Sequence, residues 1–341
     1  MATWSRRWQR VWAARGLLAC SLLPLAALFG LASALRRRLY RSGLLRVERL
    51  PVRIIVVGNL IAGGAGKTPT VLALVRALQS VGHSPAIVSR GYGGTASEPL
   101  EVTATTAARV SGDEPLLMRR RAGVPVFVGR DRVAAVRALL RAYPRTDVVV
   151  ADDGLQHHRL ARDVQVLVFD ERGVGNGWLL PAGPLREALP QALPARSVVL
   201  YNADAPTTPL TGWTAQRRLA GVSALDAWWS GARPAADSLR ELRGRPLVAA
   251  AGMARPERFF AMLRAADLAF DELPLPDHFD YAALPWPRDA ADVIVTEKDA
   301  VKLDPSRTGP TRVWVAALDF VPAPGFDADV MRWLELPAAP T

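Results

Sequence analysis

An apolar run, Arg53 to Val57, leads directly into GNLIAGGAGKTPT, Gly58 to Thr70, and a helical pattern begins where the glycines end. Few folds satisfy a strand, a glycine turn and a helix in such close succession. In this arrangement consecutive backbone N–H groups curl round an anion at the helix N-terminus, with a lysine and a hydroxyl at the end of the curl. Gly63, Gly64, Ala65 and Gly66 supply the curl, Lys67 the charge and Thr68 the hydroxyl. The full phosphate-loop pattern asks for glycine at position 61, where this chain has Ile61, a departure that weakens the pattern more than the physics.

The rest of the chain repeats the alternation. A helix is expected from about Thr68 to Val81, with Val71, Leu74, Val75 and Leu78 on one face, and strands over Ala86 to Ser89 and Val124 to Val128. A helix from Asp131 to about Tyr143 and strands over Asp147 to Asp153 and Val164 to Phe169 follow. This predicts an α/β fold, a P-loop NTPase-like and mainly parallel sheet flanked by helices, with ligands at the carboxyl ends of its strands. Periodicity weakens from Ala203 to Arg245, and a second α/β segment opens with Pro246 to Met253, a helix near Glu257 to Ala266, and Asp292 to Lys302. The expected division is residues 1–45 as an N-terminal membrane anchor with basic flanks, 46–202 as the P-loop core, and 203–341 as a smaller C-terminal α/β subdomain.

Charge bounds the function. Ten arginines against the single acid Glu48 give residues 1–50 a net +9 of the total +11, so the other 291 residues carry only +2. A nucleic-acid groove in the folded body is therefore not expected. Gly16 to Leu35 is free of charge over twenty residues, enough to cross the hydrocarbon layer as a helix. Arg6, Arg7, Arg10 and Arg15 precede it, Arg36, Arg37, Arg38 and Arg41 follow, and Trp4, Trp8 and Trp12 share one helical face. Ala32-Ser33-Ala34 resembles a signal-peptidase site, but three arginines follow at once. A membrane-embedded anchor is favoured over a cleaved signal, and the other reading is a buried helix or one lying flat in the interface. The lone Cys20 excludes disulfides and thiolate zinc clusters.

The apolar strand VVVADD ends in Asp152 and Asp153, the form of a Walker B element that brings a carboxylate beside the Mg²⁺ held by the loop threonine. SRGYGG, Ser89 to Gly94, offers Arg90 and Tyr92 to a phosphorylated or sugar-like acceptor. GDEP places Asp113 and Glu114 at a helix start, and Gln156, His157 and His158 follow the Walker B acids. Taken alone, Asp113 reads as a helix N-cap and the two histidines as exposed turn residues. TEKD, Thr296 to Asp299, has the wrong spacing for a guanine reader, which argues against a GTPase.

In order along the chain, GNLIAGGAGKTP, SRGYGG, GDEP, DDGLQH, LLPAGPLRE, DHFDY and TEKDAVK resemble the tetraacyldisaccharide 4'-kinases of lipid A biosynthesis. The resemblance implies an ATP- and Mg²⁺-dependent lipid kinase at the cytoplasmic face of the inner membrane. It would move the γ-phosphate to the 4'-hydroxyl of an acylated disaccharide 1-phosphate to form lipid IVA, with no obligate protein partner. It further implies Asp113 as base with His278 assisting, Glu114 and Arg186 in support, and Gln156 at the nucleotide. Thr68, Asp152 and Asp153 would hold the metal, and Arg90, Tyr92 and Arg130 the acceptor head group. The alternative is a membrane-tethered P-loop ATPase or nucleotide-binding module without a lipid acceptor.

Overall fold

The computed structural model describes residues 8, 10–232, 234–235 and 237–335. Its strands are β1 (Arg53–Gly58), β2 (Pro85–Ser89), β3 (Leu100–Glu101), β4 (Val126–Val128), β5 (Val148–Asp152) and β6 (Val164–Asp170). The chain continues with β7 (Ser197–Asn202), β8 (Trp213–Ala224), β9 (Leu247–Ala251), β10 (Asp271–Pro274), β11 (Asp292–Thr296) and β12 (Arg312–Pro322). Their order across the sheet is β10-β9-β11-β12-β8-β7-β6-β1-β5-β2-β4-β3. Pairing is parallel except between β3 and β4 and between β8 and β12. The helices used below are α1 (Leu17–Ser21), α2 (Leu23–Arg41), α3 (Lys67–Ser80), α4 (Asp113–Ala122), α5 (Arg132–Ala142), α6 (Pro256–Ala265) and α7 (Glu297–Ala300).

Successive side chains of a strand point to opposite faces, so β1 and β5 each serve two cores. Ile55, Val57, Val148 and Val150 pack with Val71, Leu74, Val75 and Leu78 of α3. Ile54, Val56, Val149 and Ala151 pack on the other side with Val133, Val136 and Leu139 of α5. Both helices were anticipated to within a residue or two, and the Asp131 carboxylate caps α5 by accepting from the backbone N–H groups of Val133 and Ala134. Each fully buried leucine here contributes about 1.5–3 kcal/mol of transfer free energy, which fixes α3 and hence the loop before it.

The segment after residue 202 holds the long β8, whose pattern had given no clear period. Its first residues pair parallel to β7 at Leu200 and Tyr201, and its remainder pairs antiparallel to β12. Burial along β8 is mixed because neighbouring elements change along its length. A third core, built from Phe259, Phe260 and Leu263 of α6 with Ile294 and Ala249, supports this second half. The expected boundary at residues 202–203 falls in the connection between β7 and β8.

The expected N-terminal anchor does not span: its apolar stretch forms no single crossing helix. The charge-free stretch is divided at Leu22 into α1 and α2, with Pro24 in the first turn of α2, and α2 runs on through Arg36, Arg37, Arg38 and Arg41. Among the described residues no helix is long and apolar enough to cross a membrane. Proline tolerates the first turn of a helix, where its missing N–H costs nothing, so the break starts a second helix instead of bending a single one. Trp4, Arg6 and Arg7 lie outside the described residues. α2 lies against the Leu179–Glu187 segment: Arg37 pairs with Glu187 at 3.1 Å, and a Cβ on Gly30 would meet Leu179 Cδ1 at 2.7 Å. Ahead of α1, Trp12 Nε1 donates to the Pro181 carbonyl at 2.9 Å.

Candidate functional site

The loop between β1 and α3 is held open from within. Asn59 Nδ2 donates to the Gly63 carbonyl at 3.0 Å, and Lys67 Nζ donates to Asn59 Oδ1 at 3.2 Å. Gly63 and Gly66 have φ of +94° and +96°, a left-handed conformation that side chains rarely adopt. Gly66 is also crowded: an added Cβ would lie 2.5 Å from Asn202 Nδ2 and 2.9 Å from an Arg217 guanidinium nitrogen. Asn202, at the end of β7, donates to the Ala65 carbonyl at 3.2 Å and ties the loop's outer side to the sheet. Ala65 is buried, Gly64 is exposed, and Thr68 is half-buried in the first turn of α3.

The two acids at the end of β5 have separate roles. Asp153, at φ +50°, lies 3.4 Å from Lys67 Nζ and 3.1 Å from Arg186 Nη1. Despite burial, the charges of Lys67 and Arg186 hold its carboxyl below the ordinary carboxylate range. Asp152 is buried and accepts a hydrogen bond from Ser89 Oγ on one oxygen at 3.0 Å, while its other oxygen has no partner. Burial, together with the negative charge of Glu114, pushes its pKa up to about 7. A buried carboxylate oxygen without a donor, with a second acid next to it in the chain, suits a hard divalent cation such as Mg²⁺. Gln156 Oε1 accepts from Arg186 at 3.4 Å, and its amide donates to the Asn59 carbonyl at 3.4 Å, so it ties the turn after β5 to Arg186 and to the phosphate loop.

Asp113 opens α4 after Gly112, whose φ of +88° brings it against the Tyr92 carbonyl. Asp113 is the first helical residue and not the expected N-cap, a place taken by Gly112, and its Oδ1 accepts from the backbone N–H of Glu114. His278, in the loop between β10 and β11, lies with Nδ1 2.9 Å from Asp113 Oδ2. Burial works against the Asp113 charge, but the hydrogen bond to His278 and the charges of Lys298 and Lys302 hold its carboxyl below the usual range. The same hydrogen bond raises the His278 imidazole above its ordinary value. The Tyr92 ring, otherwise exposed, sits 5.6 Å from that of His278. Glu114, next to Asp113 in the chain, also acts on Asp152, so this pair and the acids at the end of β5 share one electrostatic field.

Beside the site, under α2, lies a cavity of about 550 Å³ lined by Phe29, Arg36, Arg90, Arg130, Gln156 and Arg186. Arg90 and Arg130 thus reach one cavity from different strand ends. His157 and His158 also line it, and they are half-buried where exposed turn residues were expected. Burial, reinforced by neighbouring arginines, pushes both imidazoles down to about 4. No group of three metal-ligating His, Cys, Asp or Glu side chains occurs among the described residues.

The family model for tetraacyldisaccharide-1-P 4'-kinase matches residues 18–335. The chain belongs to this kinase family. A tetraacyldisaccharide 4'-kinase from Methylibium petroleiphilum is 58% identical over 93% of this chain and 90% of its own. One from Leptothrix cholodnii is 57% identical over 92% and 91% respectively. A crystal structure of LpxK from Aquifex aeolicus, solved with ATP, superposes with a TM-score of 0.77 at 26% identity, covering 93% of this chain and 99% of that one.

In this family member the tertiary structure adds residues that motif reading left out. Asn59 sits inside the quoted GNL, but only its contact with Lys67 reveals a role. Arg132 donates to the carbonyls of Gly129, Arg130 and Asp153, and so fixes the turn that bears the second acid. Lys298 and Lys302 of the TEKDAVK segment lie 4.0 and 3.8 Å from Asp113 Oδ2. No local pattern distinguishes them from surface lysines, because the chain brings them to Asp113 only through the β11–α7 turn.

Proposed function

We propose that this chain transfers the γ-phosphate of ATP to the 4'-hydroxyl of tetraacyldisaccharide 1-phosphate at a membrane surface, yielding lipid IVA. The observation that carries the reading is the Asp113–His278 pair beside a phosphate loop whose lysine is already oriented by Asn59 and Asp153. A nucleotide-binding module needs the loop and the Walker acids, but it has no use for a carboxylate–imidazole pair whose carboxylate is buried.

The phosphate loop holds the β and γ phosphates through its backbone N–H groups and Lys67. Thr68, Asp152 and Asp153 would hold Mg²⁺, which would neutralise charge on the transferring phosphoryl group. Arg186 holds Asp153 in place. Asp113 accepts the proton of the acceptor hydroxyl as the oxygen attacks, and His278 orients that carboxylate by donating from Nδ1. Arg90, Arg130 and Arg36 bind the acceptor's phosphate in the cavity under α2, with Tyr92 against a sugar ring.

Membrane contact falls to α1 and α2. Leu17, Leu28, Leu31 and Leu35 are exposed at 92%, 65%, 68% and 54%, and the last three lie at helical spacings of three and four. An apolar stripe next to a cluster of arginines suits a helix lying in the interface, with the acceptor cavity directly beneath. Use of ATP, a cytoplasmic substrate, supports a position on the cytoplasmic face of the inner membrane.

The test is transfer of γ-³²P from ATP to tetraacyldisaccharide 1-phosphate in mixed micelles, with Lys67→Ala and Asp113→Ala alongside wild type. Labelled lipid with wild type, reduced by orders of magnitude in both variants, supports the assignment. ATP binding or hydrolysis without labelled lipid sinks it and leaves the ATPase or tethered module.

A further inference from the structure

Lys298 touches three carboxylates that belong to two different parts of the chain. Its ammonium nitrogen lies 3.0 Å from Asp277 Oδ1, 3.6 Å from Glu114 Oε1 and 4.0 Å from Asp113 Oδ2. Asp277 immediately precedes His278, and Glu114 immediately follows Asp113. Lys298 therefore grips the chain neighbour of each member of the carboxylate–imidazole pair.

The loop it grips needs holding. His278 and Tyr281 have φ of +59° and +56°, a left-handed region that non-glycine residues keep only where their surroundings impose it. His278 is also only partly covered, with 32% of its side chain exposed. On the other side, Lys302 lies 3.8 Å from Asp113 Oδ2 and 3.4 Å from Asp299 Oδ1, with its nitrogen 5.3 Å from the Tyr281 ring centre. Asp299 is fixed in turn by Thr296 Oγ1 and the Gly252 N–H. Asp113 thus faces Glu114 on its own helix, Asp277 and His278 on the loop, and Lys298 and Lys302 from the α7 segment. Burial disfavours the charge on Lys298, yet Glu114, Asp113 and Asp277 keep it protonated beyond its ordinary range.

We infer that Lys298 is a positioning residue for the phosphoryl transfer, tying the strained His278 loop to the start of α4 so that Asp113 and His278 stay in register. Its charge also offsets three carboxylates that would otherwise repel an incoming γ-phosphate. The inference rests on the reading of Asp113 and His278 as the acceptor-activating pair.

The experiment is steady-state lipid phosphorylation in mixed micelles with the full chain, over a range of pH, for Lys298→Ala, Lys298→Arg and Asp113→Ala. Misplacing a reacting group by an ångström costs about a hundredfold, so Lys298→Ala is expected to lower kcat about 10- to 100-fold. KM for ATP should stay within about twofold, because the phosphate loop is untouched. Loss of a cation beside Asp113 moves the acid limb of the kcat profile to higher pH, and Lys298→Arg restores part of both. Wild-type kcat in Lys298→Ala, or a loss of kcat with an unshifted profile, overturns the inference if Asp113→Ala is inactive. An active Asp113→Ala instead removes the underlying reading, and the inference with it. If Lys298→Ala lacks the native thermal transition, Asp277→Asn decides from the loop side: a comparable fall in kcat upholds the tie, and wild-type kcat overturns it.

Discussion

His278 Nδ1 lies 2.9 Å from Asp113 Oδ2, although 165 residues separate the two in the chain. One sits at the first residue of α4 in the phosphate-loop half, and the other on a loop of the second half. The pair exists only because the single sheet brings both halves to one edge of the site. If Asp113 takes the acceptor proton, Asp113→Asn should lower kcat by about 10²–10⁴ while leaving ATP affinity unchanged. His278→Gln, which leaves the carboxylate in place, should cost less. Lipid-transfer rates combined with equilibrium ATP binding check both.

The same pair gives stability a pH signature. Asp113 has a depressed pKa in the fold, so its contribution is present above the unfolded value of about 3.8 and is lost as pH falls through the folded one. His278 has a raised pKa, so its contribution is complete below about 6.5 and is lost as pH rises through the folded value. The pair is therefore most stabilising between about pH 4 and 6.5. With His278 partly exposed, solvent screening limits the effect to about 1 kcal/mol or less. Thermal unfolding should show His278→Gln further below wild type at pH 5.5 than at pH 9.

Lys67 spans Asn59 and Asp153, so its loss should disorganise the phosphate site rather than only remove one charge. Lys67→Ala is expected to reduce kcat/KM for ATP about a hundredfold or more. Titration with a fluorescent ATP analogue should show correspondingly weaker binding, with the thermal transition retained.

Gly66 tests the loop from its outer side. Alanine there must adopt φ +96° and place a methyl group 2.5 Å from Asn202 Nδ2. Gly66→Ala should destabilise the protein by about 1–3 kcal/mol and raise KM for ATP. Denaturant unfolding and ATP-dependent rates measure the two effects. Gly82→Ala, at φ +90° with open space round the Cβ, separates backbone strain from the clash.

The apolar stripe of α2 predicts association with lipid surfaces. Replacing Leu28 and Leu31 with glutamate should reduce sedimentation with anionic vesicles several-fold, since each fully buried leucine contributes about 1.5–3 kcal/mol. Turnover of a short-chain soluble acceptor should survive.

The sequence by itself determined the strand–loop–helix at Gly58 to Thr70, the flanking parallel strands and the acids at the end of β5. Each is specified by neighbours along the chain: continuous apolar runs for buried strands, glycines where φ is positive, and a 3.6-residue stripe for α3 and α5. The ordered motifs also made the family legible. Only the tertiary structure decided the rest. It paired β8 with two unlike partners, which explains why that strand has no clean alternation. It broke the charge-free N-terminal stretch at Leu22, where a count of apolar residues carries no information about helix continuity. It placed Asn59 on Lys67, Arg132 behind Asp153, and Lys298 and Lys302 round Asp113. Those contacts join residues distant in the chain or depend on side-chain direction, and such geometry is fixed by sheet order and packing rather than by local spacing.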